Sequence, residues 1–516
     1  MTTLSSVALA VCVLAIACAN LRWFRVAQRE HYLAGAAVRF WLRWASSTPI
    51  NIGLAIVAAA AAAATTVAPA AAVMTAAVVA FWPVGLGLRG RSSRLAWTRR
   101  MSLVAFVTGV LEALVVVIAA VFDGLSGAVL SAAVIAFSVP LIVDVALAIL
   151  RPVEDVLAQR YVRSATELLS RVKPLVVGIT GSYGKTTTKN YVAHLLAGDR
   201  AVVASPRSFN NRAGLTRTVN EHLTPGTEVL VAEMGAYGRG EIAELCRWLR
   251  PEITVITSIG PSHLERFGSL ERTLEAKAEI ASCARVVVLN VDDARLEGLA
   301  KRLDAAHKVV RVSGTDAAAD VAVLEHTDGL ELRVAGTTSG VVPLAPSTAV
   351  PIRTNAACAA AVALELGIFP ETVARRLGSL PSVPNRLQRY QAEGGYLVLD
   401  DTFNANPAGA RHGLDVLASE APTGRRMLVT PGMVELGRSQ RSENAAFAEA
   451  AAGAVTDVVV VGRTNRASLV EGCRKAVTPP PLKLVDRREE AVVWARTELG
   501  PGDAVLFEND LPDHFP

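Results

Sequence analysis

The residues best placed for chemistry lie in Thr180-Gly181-Ser182-Tyr183-Gly184-Lys185-Thr186-Thr187, which follows the apolar run Pro174–Ile179 and opens a stretch of helical periodicity. Strand, glycine-rich loop and helix in that order form a phosphate-binding arrangement. Glycines let backbone N–H groups approach phosphate oxygens, Lys185 places a cation on the β/γ oxygens, and the Thr186 hydroxyl is a ligand for magnesium. The spacing departs from G-x-x-x-x-G-K-[ST], because Ile179 stands where the first glycine is expected.

Further along, Glu233 ends the apolar run of VLVAE, His263 follows ITSIGPS, and Lys277 lies in LEAKAEI. Strands ending at Thr180, Glu233 and Ile259 would bring the loop, a carboxylate and an imidazole to one carboxyl edge of a parallel sheet, where open α/β folds bind ligands. Taken singly, Glu233 also suits a solvated strand end, His263 a capping or core position, and Lys277 the surface of an amphipathic helix. The ordered set is what points to phosphoryl transfer.

Several of these segments resemble the Mur ligase family. TGSYGKTT is similar to its shortened ATP loop, and Asn210-Asn211 in SFNNRAGL to its Asn-Asn segment. Glu233 and His263 resemble its strand-end glutamate and metal-binding histidine. Lys277 stands where the family carries a carbamylated lysine. The likeness continues through Asn355-Ala356, Asn385-Arg386 and LDDTFNANP (399–407), covers about 170–465, and is closest to the branch that adds D-Ala-D-Ala to the UDP-MurNAc-tripeptide. It implies ATP and Mg²⁺ as cofactors, with a carboxylate activated as an acyl phosphate and attacked by a small-molecule amino acid or peptide amine. It also implies catalytic roles for Lys185, Glu233, His263 and Lys277, with metal ligands Thr186, Glu233, His263 and carbamylated Lys277. Nucleotide contacts would come from Thr180 to Thr187, from Asn355 at the adenine, from Arg386 at the phosphates, and from Asp401 with Asn404 and Asn406 on the ribose and phosphate side.

Three departures qualify the likeness. The soluble UDP-binding domain of that branch has no counterpart. Ser258-Ile259-Gly260 replaces Asn-Ile-Gly. Where D-Ala-D-Ala ligases carry Lys-Gly-Ser-Arg, this chain reads Glu508-Asn509-Asp510-Leu511-Pro512-Asp513, exchanging cations for carboxylates and leaving the amine's identity open.

These segments need elements to hold them, and composition shows what else the 516 residues contain. Hydrophobic residues make up 51%, and the mean hydropathy is +0.36, which points to concentrated apolar spans. Residues 1–150 hold ten arginines against four acidic residues, +6 of the total +5, which leaves the remainder at −1. This basic excess lies beside apolar stretches and reads as membrane topology, so nucleic acid is not expected as a partner.

Apolar stretches at 4–20, 50–68, 69–88, 103–122 and 126–150 suggest five spans. The second and third, run together at Pro69, also read as a tilted helix with a re-entrant piece or as an Ala-rich hairpin. Arginine clusters at 22–43 and 89–100 place both connections, and everything after Leu150, in the cytoplasm. Ala17-Cys18-Ala19 resembles a signal cleavage site, but Met1–Ser6 lacks the basic start, so an uncleaved first span is expected. Between Arg22 and Trp44, arginines alternate with aromatic residues as in an interfacial helix pair facing anionic headgroups. The six cysteines form no CxxC pair.

The expected fold is an α-helical membrane domain (1–150), a helical connector (151–170), a P-loop α/β central domain with a parallel sheet (171–380) and a Rossmann-like C-terminal domain (381–516). The expected protein is a multi-pass plasma-membrane ligase with cytoplasmic catalytic domains, the bilayer as partner and a membrane-associated carboxylate acceptor. Ordinary D-Ala-D-Ala addition with an anchor, or an ATP-driven transporter, are the alternatives. No LSGGQ-type segment supports the transporter.

Overall fold

The computed structural model describes residues 2–90, 94–344, 352–403 and 405–516, so Arg91 and Asn404 lie outside the described residues. Contacts divide the chain into two units: Met1–Val156 with Gly462–Thr464 and Leu511–Pro516, and Leu157–Val461 with Asn465–Asp510.

The first unit is built from α1 (Thr2–Arg29), α2 (Ala36–Ala45), α3 (Pro49–Ala64), α4 (Ala71–Phe81) and most of α5 (Arg99–Val172). Asp123 (φ −135°) and Gly124 (φ 56°) leave helical geometry, so α5 is two helices, 99–122 and 125–172. Among the described residues, α1 and α5 are long and apolar enough to cross a membrane, and the pair α2–α3, bent by 112°, adds a third candidate.

The third of the five expected spans falls on a helix too short to cross by itself, which favours the re-entrant alternative for the stretch around Pro69. With 11 residues, α4 is about 16 Å long, roughly half of a hydrocarbon core. Its end is fixed by Arg22, whose guanidinium donates to the carbonyls of Val79 (2.9 Å), Ala80 and Trp82 (3.1 Å) and satisfies the helix's last acceptors.

The segment 22–44 also differs from the interfacial pair expected of it. Arg22, Trp23, Phe24, Arg25, Phe40 and Trp44 are buried. Arg22 is held by the end of α4, and Arg25, Phe40 and Trp44 are covered by the segment Leu511–Pro516. Arg25 pairs with Asp513 (3.3 Å), Trp44 Nε1 donates to the His514 carbonyl (2.8 Å), and Phe40 meets Phe515 edge-on. The ionisable residues of the apolar helices are paired too. Asp144 accepts from the N–H groups of Ala37 and Val38 at the start of α2, and Glu112 accepts from Asn20.

The second unit carries two sheets. The larger is formed by β1 (Leu175–Thr180), β2 (Val202–Ala204), β3 (Val229–Glu233), β4 (Ile253–Ile256), β5 (Val286–Asn290), β6 (Lys308–Ser313), β7 (Val321–His326), β8 (Gly329–Val334) and β9 (Thr337–Val342), in the order β2-β3-β1-β4-β5-β6-β7-β8-β9. Helices α6 (Lys185–Leu196), α7 (Arg212–His222), α8 (Glu241–Leu249), α9 (Leu264–Phe267), α10 (Leu270–Ala278) and α11 (Ala294–Leu303) connect its first strands, and α12 (Arg353–Glu365) and α13 (Pro370–Leu377) follow it. The sheet is parallel through β7 and antiparallel beyond, so it is mixed rather than wholly parallel. The two-residue turn Thr327-Asp328 forces this, since only antiparallel strands can be joined so tightly.

The smaller sheet contains β10 (Gln388–Gln391), β11 (Leu397–Asp401), β12 (Arg426–Thr430), β13 (Asp457–Val461), β14 (Leu482–Val485) and β15 (Ala504–Glu508), in the order β10-β11-β15-β12-β13-β14. Only the edge strand β10 is antiparallel.

Candidate active site

The loop between β1 and α6 has the glycines its path requires. At Gly181 (φ 142°) a Cβ would sit 2.1 Å from Thr257 Oγ1, and at Gly184 (φ 80°) it would sit 2.3 Å from Asn355 Oδ1. The loop is held from the β4 side. Ser182 N donates to the Ser258 carbonyl, Tyr183 N donates to Ser258 Oγ, and Ser182 Oγ bridges both backbone groups of Gly260. Ser258 thus performs a loop contact through its hydroxyl, and Gly260 makes room for the Tyr183 ring.

Lys185 curls back, its Nζ donating to the carbonyls of Gly181 (2.8 Å) and Ser182 (3.2 Å). Burial lowers its pKa, and the nearby Glu233 opposes that shift. Thr180 is buried beneath the loop, and Thr187 follows Thr186 in the first turn of α6.

Glu233 ends β3 within reach of this turn. Thr186 Oγ1 donates to its Oε2 (2.8 Å), Asn210 Nδ2 donates to its Oε1 (3.1 Å), and Lys189 Nζ lies 3.3 Å from Oε2. A hydroxyl and a carboxylate oxygen at this separation suit a hard cation that keeps water and phosphate as its other ligands.

One cleft is lined by Gly181, Ser182, Lys185, Asn210, Tyr237, His263 and Lys277. Lys277 is buried on α10, its Nζ 3.5 Å from the Ala236 carbonyl and 5.7 Å from the Phe267 ring. Burial and the neighbouring Lys185 depress its pKa to about 7. His263 sits edge-on to Tyr237 and pairs through Nδ1 with Glu435. Among the described residues no three His, Cys, Asp or Glu side chains cluster as a metal site, so a second cation here would need an oxygen donor that Lys277 lacks as a plain amine.

The remaining nucleotide candidates lie on α12, on the loop before β10, at the end of β11 and at the start of the next helix. The buried α12 packs on α6 and holds the Asn355 amide against Gly184. Arg386 stacks its guanidinium on the Phe403 ring (4.4 Å). Burial lowers its pKa, while Asp401 and Glu233 raise it. Burial pushes the Asp401 carboxyl up to about 6, against the pull of Arg386. Asn406 caps α14 (Pro407–Glu420) by accepting from Gly409 N, a turn role.

Sequence reasoning missed Lys189 and Glu435. The signal for Lys189 was its position one turn after Lys185, on the same face of α6. Glu435 stands between Gly432 and Gly437 on the loop after β12 and carried no comparable signal.

The carboxylates of the 508–513 segment each have a separate partner. Glu508 is buried and accepts from Thr430 Oγ1, Asp510 pairs with Arg488 (2.9 Å), and Asp513 pairs with Arg25.

The chain is similar to known proteins over both of these domains. Residues 179–363 match the Mur ligase middle domain, and residues 385–508 match the Mur ligase, glutamate ligase domain. UDP-N-acetylmuramoyl-tripeptide–D-alanyl-D-alanine ligase of Mycobacterium tuberculosis (strain ATCC 25618 / H37Rv) is 36% identical over 369 residues, which span 64% of this chain and 70% of that enzyme. The enzyme of the same name from Bacillus subtilis (strain 168) is 28% identical over 352 residues, 67% of this chain and 75% of that one. The crystal structure of MurF ligase from Thermotoga maritima in complex with ADP superposes with a TM-score of 0.59 at 27% identity, covering 68% of this chain and 80% of that one. The chain belongs to the Mur ligase family and is an ATP-dependent, ADP-forming peptide ligase of the MurF type.

Proposed function

We propose that this ligase joins an amine to the carboxylate of a membrane-associated cell-wall precursor, with the bilayer as its platform and its catalytic domains in the cytoplasm. The observation that carries the reading is the placement of the apolar helices. The family match begins at residue 179, and the region before it is rich in apolar helices. In the proposed division, 1–150 is the membrane domain, 151–170 a connector, and 171–380 and 381–516 the two ligase domains.

In the proposed reaction the acceptor carboxylate takes the γ-phosphoryl group of ATP, and the amine displaces phosphate to give the amide, ADP and phosphate. The loop from Thr180 to Thr187 holds the phosphates, and Lys185 leaves its carbonyl partners to meet the β/γ oxygens. Mg²⁺ supplies charge neutralisation on the transferring group. Thr186 with Glu233 would hold one ion. His263 with a carbamate on Lys277 would hold a second, a reading supported by the depressed pKa of Lys277. Asn355 would contact adenine, Arg386 the phosphates and Asp401 the ribose side.

A second reading, D-Ala-D-Ala addition to a soluble UDP-linked tripeptide, draws on what the relatives' names state. One experiment separates the two. With the full chain in lipid nanodiscs, kcat/KM is measured for a polyprenyl-linked and a UDP-linked tripeptide acceptor. A clear preference for the polyprenyl form is expected, and equal values would overturn the membrane-acceptor reading.

A further inference from the structure

Lys189 has no part in the roles assigned so far, yet it is among the largest fully buried side chains of the molecule. It lies on α6 one turn beyond Lys185. Its ammonium group contacts Glu233 Oε2 at 3.3 Å and donates to the Arg207 carbonyl. Arg207 is in the left-handed region (φ 49°) and begins the stretch that brings Asn210 to Glu233 Oε1. One ammonium thus joins α6, the end of β3 and the loop after β2.

The acceptor count at Glu233 gives this contact its meaning. A carboxylate offers about four lone-pair positions. Three are taken here, by Thr186 Oγ1 and Lys189 Nζ at Oε2 and by Asn210 Nδ2 at Oε1. Thr186 can yield, because a hydroxyl rotates and turns a lone pair toward a cation while its oxygen stays in place. Lys189 cannot, because an ammonium group has only donors. Glu233 is therefore neutralised by a fixed internal cation, with Lys185 adding a second positive charge nearby. A divalent ion approaching Thr186 and Glu233 alone meets a site with no net negative charge. With triphosphate bound, the same ion meets several.

We propose that Lys189 is a positioning residue that makes metal binding at Thr186 and Glu233 conditional on nucleotide, its buried ammonium group cancelling the Glu233 charge until phosphates supply more. The inference rests on the magnesium reading given above. Its consequence is that the ion enters with the nucleotide rather than ahead of it.

The test uses Mn²⁺ as the probe, with the full-length protein in nanodiscs and binding followed by electron paramagnetic resonance with and without a non-hydrolysable ATP analogue. The wild-type protein is expected to bind Mn²⁺ strongly only with the analogue. Lys189→Met and Lys189→Gln remove the charge and are expected to bind Mn²⁺ roughly tenfold or more tightly without nucleotide. Lys189→Arg keeps the charge and is expected to behave as wild type, whereas a role in packing alone would not sort the variants by charge.

Equal or weaker nucleotide-free Mn²⁺ affinity in the charge-removing variant that retains the wild-type melting profile overturns the proposal. Melting of both variants at lower temperature with Mn²⁺ affinity unchanged also counts against it, since Lys189 would then serve the fold alone. Failure of the wild type to bind Mn²⁺ even with the analogue would instead remove the Thr186–Glu233 metal site, and this proposal with it.

Discussion

Glu435, on the loop after β12, pairs with Nδ1 of His263, on the loop after β4, so the C-terminal ligase domain places a carboxylate at the rim of the middle domain's cleft. The contact is reinforced by Glu265 N donating to the Glu435 carbonyl (3.2 Å) and by Arg266 near its carboxylate (3.7 Å). A carboxylate on one imidazole nitrogen fixes the ring and leaves Nε2 as the nitrogen available to a ligand.

Removing that orienting group should act through the histidine. Glu435→Ala is expected to lower kcat by about 10- to 100-fold while changing the KM for ATP much less, because the loop at Lys185 is untouched. Steady-state kinetics with ATP varied at saturating acceptor checks this. An equal loss in kcat/KM for ATP with kcat unchanged would place Glu435 in nucleotide binding instead.

Lys185→Ala should abolish amide formation and leave the protein folded and inserted. Among the described residues the lysine's hydrogen bonds go to loop carbonyls, and it is not part of the hydrophobic core around α6. Its charge acts on the transferring phosphoryl group, where positioning and electrostatics supply nearly all of the catalysis. Phosphate release measured beside a melting curve separates the two effects. Near wild-type turnover would remove the ATP-site assignment.

The phosphate loop was legible in the sequence because it is local: eight adjacent residues carry both the glycines and the cation. The strands β11, β12, β13 and β15 were legible as apolar runs between helical stretches, whereas β10 (QRYQ) and β14 (LKLV) are short, partly polar edge strands without that contrast. Lys189 was hidden because a lysine on an amphipathic helix reads as surface, and only the approach of Glu233 from β3 gives it a buried partner. The pairing of Glu435 with His263 joins residues 172 positions apart and depends on how two domains meet. The shortness of α4 was not legible, because apolar composition gives the extent of a stretch but not where a proline or a capping arginine ends its helix.

Glu508 is a buried acid whose carboxyl is pushed up to about 8, chiefly by burial and further by Asp401, with the hydrogen bond from Thr430 opposing. Its unfolded value is near 4.5, so between pH 4.5 and 8 the native state holds a proton that the unfolded chain has lost. Stability contributed by this group is therefore full at low pH and falls through that window, by on the order of a few kcal/mol. Glu508→Gln keeps an acceptor for Thr430 and removes the titration. Its melting temperature should exceed that of the wild type at pH 8 and approach it at pH 5. Parallel wild-type and variant curves across that range would show that Glu508 is not held neutral.

The proposed sidedness survives the shortening of α4. If α3 and α4 form a re-entrant hairpin instead of two spans, the number of crossings before the catalytic domains falls by two and its parity is unchanged. In a cysteine-free background, a cysteine at Arg94 should resist an impermeant thiol reagent applied to intact cells, and one at Asp123 should react. A cysteine at the exposed Val67, between α3 and α4, should also resist, because α4 is too short to carry the hairpin across. Labelling at Arg94 would invert the topology, and labelling at Val67 would restore the two extra spans.

Lys277 gives the most direct test of the second metal site, since a carbamate forms only on a neutral amine and free lysine titrates near 10.4. Burial on α10 is the main cause that brings its pKa to about 7, and Lys185 adds to the effect, while Glu241 and Glu279 pull the other way. Between pH 7 and about 10 the unfolded chain carries a proton that the native lysine has lost, so stability from this group rises with pH across that window. The reactive neutral form follows the same direction. Carbamate formation from the neutral amine and CO₂ releases a second proton, so at constant dissolved CO₂ turnover should fall by up to about a hundredfold per pH unit below 7 and keep rising above it until the site is fully carbamylated. Removing CO₂ and bicarbonate should lower activity reversibly. Lys277→Ala should lose turnover far more than ATP binding, and Lys277→Arg should fare no better, because it keeps a positive charge where an oxygen donor is required. A mass increase of one carbamate on a Lys277 peptide, trapped by alkylation at pH 8, would complete the case. An active Lys277→Arg enzyme, or turnover indifferent to CO₂, would leave Lys277 as a buried packing residue and the second ion without its oxygen ligand.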